Sequence, residues 1–461
     1  MIIEDQRATG AVSDSGSVAV LAGAAPRRTS LRTSGPKVSV RKYGGSSLAT
    51  AEQLRNAARS VAVGYRLGCP SVVVVSARGN GTDDLLRLAS TTGCDHSERE
   101  IDQLLATGEC ISAALLALTL QDIGIPAVSF AGAQTGIRAV GKHGSGVIRD
   151  IDTRRLWSTL AKGQVAVVAG FQGVNDAGDV ITLGRGGSDT TAVALAAVLD
   201  AGQCKICTDV SGVSTADPRV VDPVRVLPWL DVGVMAEMSF AGAKVLHSRA
   251  VELAAMHRVE LHVHSSHPDI SSKPDSSTEP GTVIPAGSDT TMLETCGVVV
   301  AVAHDLDVAR VLLRCGSPCG DPAADILGLL AERAIPVDLV ARSGPYEEEF
   351  RMGFTMRRKD VNEVLSGIRD TMNGLGVTIH VDENVGKLSL IGMGLLNRPE
   401  YTARMLATLN AARIPTSWLS TSQLRTSVVI PQDRVLGAVR LLHGEFELDK
   451  DQMDLVSATP A

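Results

Sequence analysis

Residues 183 to 191, Leu-Gly-Arg-Gly-Gly-Ser-Asp-Thr-Thr, set an arginine, a carboxylate and three hydroxyls among three glycines. An alanine-rich helical pattern, Ala192 to Leu199, follows at once. A Gly-rich turn opening a helix offers free backbone N–H groups and the positive end of the helix dipole. Arg185 adds a rigid two-pronged donor suited to a carboxylate or phosphate. Such a turn suits a small anion.

Four further segments carry compatible chemistry. Arg41-Lys42-Tyr43-Gly44-Gly45-Ser46-Ser47 puts a lysine at a strand end before a Gly-Gly turn and hydroxyls. The glycines allow close backbone approach to phosphate, and the lysine supplies a mobile point charge. Because the lysine precedes the glycines, this is not a Walker A loop. Ser76 to Asp84, with Thr82, leaves the carboxyl end of the β-branched run Ser71 to Val75, where open α/β sheets place ligands. Leu105-Ala106-Thr107-Gly108-Glu109 sets a glycine and a carboxylate on an apolar helix. That pairing is odd unless something approaches closely, a cap or a bend being the plainer reading. Thr208 to Arg219, with Asp209, again leaves a buried strand and suits ribose hydroxyls and phosphates. Lys42, Thr82, Arg185, Ser188, Asp189, Asp209 and Arg219 thus fall on turns adjoining strand ends, as a phosphoryl-transfer site requires.

The elements that must position them alternate. Val38–Tyr43, Ser71–Val75, Ala127–Ser129, Val165–Gly170 and Cys204–Val210 read as strands. Helical patterns cover Thr50–Leu67, Glu98–Ile123 and Thr190–Asp200. Strands spaced by helices imply βαβ units and a largely parallel sheet covered on both faces. His264 to Thr282, rich in Ser, Pro and Asp, reads as a loop closing this first domain. Beyond it, strand–helix–strand recurs twice. Leu-Ala-Glu-Arg-Ala-Ile-Pro-Val-Asp at 330–338 returns about 80 residues later as Leu-Asn-Ala-Ala-Arg-Ile-Pro-Thr-Ser at 409–417. Two small α+β domains fit that repeat. Residues 1–36, rich in Ala, Ser, Gly, Thr and Arg, read as a disordered tail.

Composition narrows the partners. Of 461 residues, 44% are apolar and 21% charged, so a large core is available. A net charge of −7 with 3% aromatics argues against nucleic acid. No uninterrupted apolar run reaches membrane-spanning length, and the N-terminus lacks a secretory pattern, so no membrane partner and a cytoplasmic location are expected. Cys204 and Cys207 form a C-x-x-C within a strand. They face opposite sides and read as buried thiols rather than a metal or redox pair.

On these motifs the chain resembles the aspartokinases, within the amino acid kinase fold. The family's Lys-Phe-Gly-Gly-Thr-Ser stands here as Lys42-Tyr43-Gly44-Gly45-Ser46-Ser47. Its Leu-Gly-Arg-Gly-Gly-Ser-Asp-Thr-Thr-Ala is unchanged at 183–192. Its Thr-Asp-Val-x-Gly-Val-Tyr-Thr-Ala-Asp-Pro-Arg falls at 208–219 with one change, and Gly242 to His247 also match. Leu419 to Arg425 resembles the Ile-Ser-Thr-Ser-Glu-Ile-Lys of the family's second regulatory ACT domain.

The resemblance implies an α/β fold: an amino acid kinase domain with a mainly parallel central sheet covered by helices, then two ferredoxin-like ACT domains. The expected boundaries are 37–285, 286–375 and 376–461, the last two in tandem or nested. It implies transfer of the γ-phosphoryl of ATP to the side-chain carboxylate of L-aspartate, with Mg²⁺ carried by the nucleotide and no protein-held metal. Lys42 is then the phosphate-stabilising lysine. Thr82, Glu109, Phe171, Arg185, Ser188 and Asp189 line the aspartate site, Arg185 clamping a carboxylate and Asp189 the α-ammonium. Gly44, Gly45, Ser46, Thr208, Asp209, Ser214, Arg219 and Lys244 join Lys42 at ATP. A homodimer or higher homo-oligomer through the ACT domains and an amino acid effector there are also implied. The alternatives are a catalytically weak amino-acid-sensing subunit and a kinase for another small amino acid.

Several positions depart from the family pattern. Ser214 replaces Tyr beside the nucleotide, and Val232-Gly233-Val234 replaces Tyr-Asp-Glu, with Glu237 retained. The regulatory turns read Gly316-Ser317-Pro318-Cys319-Gly320-Asp321-Pro322 and Pro399-Glu400, and Leu339 to Ser343 replaces Met-Ile-Val-Gln-Asn. Weakened or altered feedback by lysine or threonine is the expectation.

Overall fold

Val72, Val73, Val74 and Val75 are all fully buried, which a strand achieves only at the centre of a sheet covered on both faces. The computed structural model describes residues 37–93, 97–266, 281–287, 298–316, 322–333, 335–343, 349–371 and 377–450. The tail expected at 1–36, most of the Ser/Pro/Asp-rich stretch and residues 317–321 of the first regulatory turn lie outside them.

The N-terminal part contains β1 (Ser39–Tyr43), α1 (Ala51–Arg66), β2 (Ser71–Val75), α2 (Gly81–Ser90), α3 (Glu98–Asp122), β3 (Ala127–Phe130), β4 (Ile137–Val140) and β5 (Val147–Ile151). Next come α4 (Arg154–Ala161), β6 (Val165–Ala169), β7 (Gln172–Val174), β8 (Val180–Thr182), α5 (Gly187–Val198), β9 (Gln203–Thr208), α6 (Val232–Phe240), α7 (Ser248–His257), β10 (Glu260–Ser265) and β11 (Gly281–Ile284). A seven-stranded sheet runs β11-β10-β9-β1-β2-β6-β3, parallel except for the edge pair β10–β11. Strand order reverses at β1, between β9 and β2, and open α/β sheets bind ligands at such a switch point. A smaller sheet, β5-β4-β7-β8, flanks it.

Helices α1 and α3 cover one face of the main sheet, and α4 to α7 cover the other. Helix α1 starts at a capping box in which Thr50 and Gln53 exchange side-chain and backbone bonds. Cys204 and Cys207 sit in the cores on opposite faces, and burial pushes the Cys204 thiol up. Helix α3 qualifies the expectation about membrane-length segments, since it is long and apolar enough to cross a bilayer by composition. It is nonetheless a core helix: Leu105, Ala113, Leu116 and Leu120 are buried, and so are Asp102 and Glu109. Asp102 accepts from the Thr182 and Gly144 N–H groups and pairs with His143, tying α3 to the small sheet.

The C-terminal part contains β12 (Val298–Gly316), α8 (Ala323–Glu332), β13 (Asp338–Arg342), β14 (Glu349–Met356), α9 (Val361–Thr371), β15 (Thr378–Met393), α10 (Pro399–Ala411), β16 (Ser417–Thr421), β17 (Arg425–Pro431) and α11 (Val435–Glu445). These strands form one antiparallel sheet, β13-β14-β12-β15-β17-β16. The long strands β12 and β15 serve both halves. Residues 308–316 of β12 lie between β14 and the start of β15, whereas 298–305 pair with 387–393 of β15. The sequence repeat reappears in the backbone. Leu339 and Trp418 stand at matching places after it, both with positive φ (49° and 44°), and they share one apolar cluster.

Candidate active site

The carboxyl ends of β1, β2, β6 and β9 feed the loops that carry the sequence motifs. Lys42, near the end of β1, places Nζ 2.7 Å from Asp189 Oδ1 in the first turn of α5. Both side chains are almost buried, so each charge depends on the other. The geometry falls short of a hydrogen bond at that oxygen, leaving its acceptor capacity open. Lys42 Nζ also lies over Gly44.

Close backbone approaches explain the glycines. A Cβ on Gly45 would stand 2.6 Å from the Ala77 carbonyl oxygen and 2.9 Å from that of Gly79, so the loops after β1 and β2 meet only through glycine. The Gly79 N–H donates to the Gly45 carbonyl. Ser46 is exposed beside this contact.

Glu109 proves to be the carboxylate that organises the second loop. Helix α3 runs unbroken through Gly108, where a Cβ would lie 2.8 Å from Ala77 Cβ. The glycine therefore admits the loop, and Glu109 Oε1 accepts from the Ala77 N–H at 2.9 Å. Glu109 Oε2 is buried without a partner. Burial pushes this carboxyl up to about 7, against the lowering effect of the Ala77 N–H. Thr82 sits in the first turn of α2, just beyond.

The turn at 183–191 folds as its glycines require. Gly184 and Gly186 adopt positive φ, and Gly186 is the N-cap of α5. The helix begins at Gly187, a turn earlier than the apolar pattern indicated. Ser188 and Asp189 therefore occupy its first turn, where N–H groups have no helical acceptor. Gly186 packs on His247, and a Cβ there would fall 2.2 Å from His247 Cβ. Arg249 donates to the Leu183 and Gly146 carbonyls and braces the turn. Phe171 has φ 67°, packs against Gly187 and accepts the Leu183 N–H. Gly170 meets Ser188, and Arg185 is exposed.

Two cavities share the wall at Gly242 to Val245, and the larger of them is bordered by this turn. The first, about 280 Å³, is lined by Thr208, Asp209, Ser214, Arg219 and Lys244, five of the residues assigned to ATP. Asp209 accepts from the Thr208 hydroxyl, and Arg219 is held by Asp217 at 2.8 Å. The second, about 710 Å³, is lined by Arg185, Asp189 and Lys244 on the catalytic side. Gly242 to Val245 and His304 border both, so Lys244 stands where they meet. Lys42, Thr82, Glu109, Phe171 and Ser188 line neither cavity; of these, Lys42 reaches the larger one through its pair with Asp189.

The sequence motifs missed the contribution of the distant C-terminal sheet. Val302, Ala303 and His304 of β12 wall the smaller cavity. A Cβ on Gly242 would stand 2.1 Å from the His304 carbonyl oxygen. The loop after β9 is gripped by the same sheet: the Val302 N–H donates to the Thr215 carbonyl, and Thr215 Oγ1 lies 2.9 Å from His443 Nε2 of α11. Arg425 reaches Glu237 of α6 at 3.3 Å and forks onto Asp338, which also pairs with Lys387 at 2.8 Å. Lys387 and Arg425 both lie over the Phe240 ring.

Fold and site together define an amino acid kinase joined to ACT domains. The amino acid kinase family matches residues 37–265, and the ACT domain matches residues 388–446. The chain is 40% identical to the aspartokinase of Mycolicibacterium smegmatis, over 91% of this chain and 98% of that protein. It is 38% identical to aspartokinase 2 of Bacillus subtilis, over 89% and 98%. Among solved structures, E. coli aspartokinase III in complex with aspartate and ADP superposes with a TM-score of 0.75 at 23% identity, covering 89% of this chain and 99% of that one, which shows the shared fold. The chain belongs to the aspartokinase family.

Proposed function

We propose that the protein transfers the γ-phosphoryl group of ATP to the side-chain carboxylate of L-aspartate, giving 4-phospho-L-aspartate. The observation that carries this reading is the Lys42–Asp189 pair at the start of α5, beside Arg185 and two adjoining cavities. A small dicarboxylate on one side and a nucleotide on the other meet at these cations. The acceptor is already a carboxylate anion at neutral pH, its free pKa being roughly 3.9, so no general base is needed. The chemical difficulty is to align two anions, which Lys42, Arg185, Lys244 and the N-terminus of α5 relieve. Mg²⁺ travels on the ATP phosphates and supplies further neutralisation.

In this reading Arg185 takes a substrate carboxylate. Asp189 and the unpartnered Oε2 of Glu109 receive its ammonium, and Phe171 and Ser188 close the pocket. The adenosine moiety and phosphates lie along Thr208, Asp209, Ser214, Arg219 and Lys244, with Gly44, Gly45 and Ser46 against the phosphates. Residues 308–382 form one ACT domain inserted into a second, whose first strand in chain order is the first half of β12. An amino acid effector and a homo-oligomer through the ACT sheet edges belong to the same reading, as does a cytoplasmic location.

Incubation with ATP, Mg²⁺ and L-aspartate, with hydroxylamine to trap the acyl phosphate, tests the transfer. Aspartyl hydroxamate is expected. None at high enzyme concentration overturns the reading, and a larger yield with another amino acid redirects it.

A further inference from the structure

The larger cavity has two charged walls, and only one belongs to the catalytic part. Arg357 and Arg358 enter from the end of β14, and Lys387 from β15. Two of these have fixed structural duties. Arg358 donates to the Val308 and Val385 carbonyls, and Lys387 pairs with Asp338. Arg357 differs. Among the described residues lining this cavity, Arg185, Lys244 and Arg357 are the cations with neither a hydrogen bond nor an ion pair. All three stand in one cavity with Asp189. His247 lines the same cavity beside Arg185 and Arg357.

An unpaired guanidinium has a strong preference for an oxyanion, because its planar fork is weakly hydrated and matches a carboxylate or phosphate. Arg357 directly follows the paired strand β14, and the next residue, Arg358, bonds its side chain to two carbonyls of the same sheet. The cavity, about 710 Å³, has room for an acidic ligand between its walls.

We propose that Arg357, supplied by the regulatory sheet, is a further substrate-binding residue that holds an oxyanion of L-aspartate opposite Arg185. This rests on the phosphoryl-transfer reading above for the identity of the ligand. The active site is then completed across the junction between catalytic and regulatory parts.

The test uses the full chain. Steady-state kinetics and calorimetric titration of L-aspartate, in the presence of a nonhydrolysable ATP analogue, are compared for the wild type, Arg357→Ala and Arg357→Lys. Loss of one charge-assisted contact predicts an aspartate KM and Kd about tenfold higher in Arg357→Ala, with the KM for ATP within about twofold of wild type. Arg357→Lys, keeping the charge, recovers most of the loss. An unchanged aspartate Kd in Arg357→Ala overturns the proposal, as does an equal rise in KM for both substrates, which marks a general disturbance of the junction. A wild type that binds aspartate but yields no hydroxamate overturns the transfer reading alone, and the binding comparison still decides the role of Arg357.

Discussion

Lys42 and Asp189 meet at 2.7 Å although one ends the first strand of the sheet and the other begins a helix far along the chain. The contact ties the Gly-Gly turn after β1 to the turn at 183–191, and each charge is nearly shut off from water. Lys42→Ala leaves a buried carboxylate without its counter-charge. Destabilisation of about 3 kcal/mol is expected in denaturant titration, with kcat at least about 100-fold lower. Adding Asp189→Asn to Lys42→Ala restores part of the stability and none of the activity. Equal destabilisation of the single and double variants contradicts the pairing argument.

Glu109 gives the site a pH dependence. Its folded-state pKa is raised from 4.5 to about 7 by burial, so the folded protein holds a proton that the unfolded chain releases in that window. Stability from this group is present at low pH and is lost as pH rises from about 4.5 through about 7. If Glu109 receives the substrate ammonium as proposed, it must be ionised to do so, and the aspartate KM should climb as pH drops below about 7, approaching tenfold per unit. Glu109→Gln should bind weakly with a flat profile over that range. A wild-type KM constant from pH 5.5 to 8 sinks the assignment.

Gly242, which borders both cavities, packs directly against the C-terminal sheet. Its φ is +117°, and an added Cβ meets the His304 carbonyl at 2.1 Å. Gly242→Ala is expected to cost about 2 kcal/mol or more and to raise the KM for ATP, because Ala243 and Lys244 move with it. A denaturant midpoint and an ATP saturation curve check both parts.

Asp338 joins the regulatory sheet to helix α6 through Arg425 and Glu237. Burial alone would raise its carboxyl, but Lys387 and Arg425 hold it below the usual carboxylate range. Its contribution is therefore present at neutral pH and is lost as acid protonates it. Arg425→Ala should lower stability by roughly 2 kcal/mol at pH 7, and the difference from wild type should shrink under acid. Thermal unfolding across pH 3 to 7 reads this directly.

The regulatory turns carry unusual residues, and Pro399 now proves to be the first residue of helix α10. Weak feedback is the expected consequence. Activity should stay above half its maximum with about 1 mM each of lysine and threonine. Half-maximal inhibition well under that level in an effector titration contradicts it.

Much of the site was legible in the chain itself. Glycine spacing, an N-terminal helix turn and cations at strand ends are local features, and local backbone chemistry dictates the turns they make. Gly184 and Gly186 take positive φ where the motif needs them, and Lys42 stands at the end of β1. The apolar run from Ser71 to Val75 likewise announced a central strand, since only a doubly covered strand tolerates it. The role of Gly108 and Glu109 was visible as an oddity without an explanation, because the reason is Ala77, from another element.

Sequence by itself thus determined which segments become strands and helices and which turns can face an anion. Only the tertiary structure decided which of those turns face each other. It paired Lys42 with Asp189, drew His304 and Arg357 to the cavities, and divided β12 and β15 between two halves of one sheet. The physical reason is that periodicity and turn chemistry act over a few neighbouring residues. A strand carries the same alternating pattern whichever partner it pairs with, so pairing is settled by global packing.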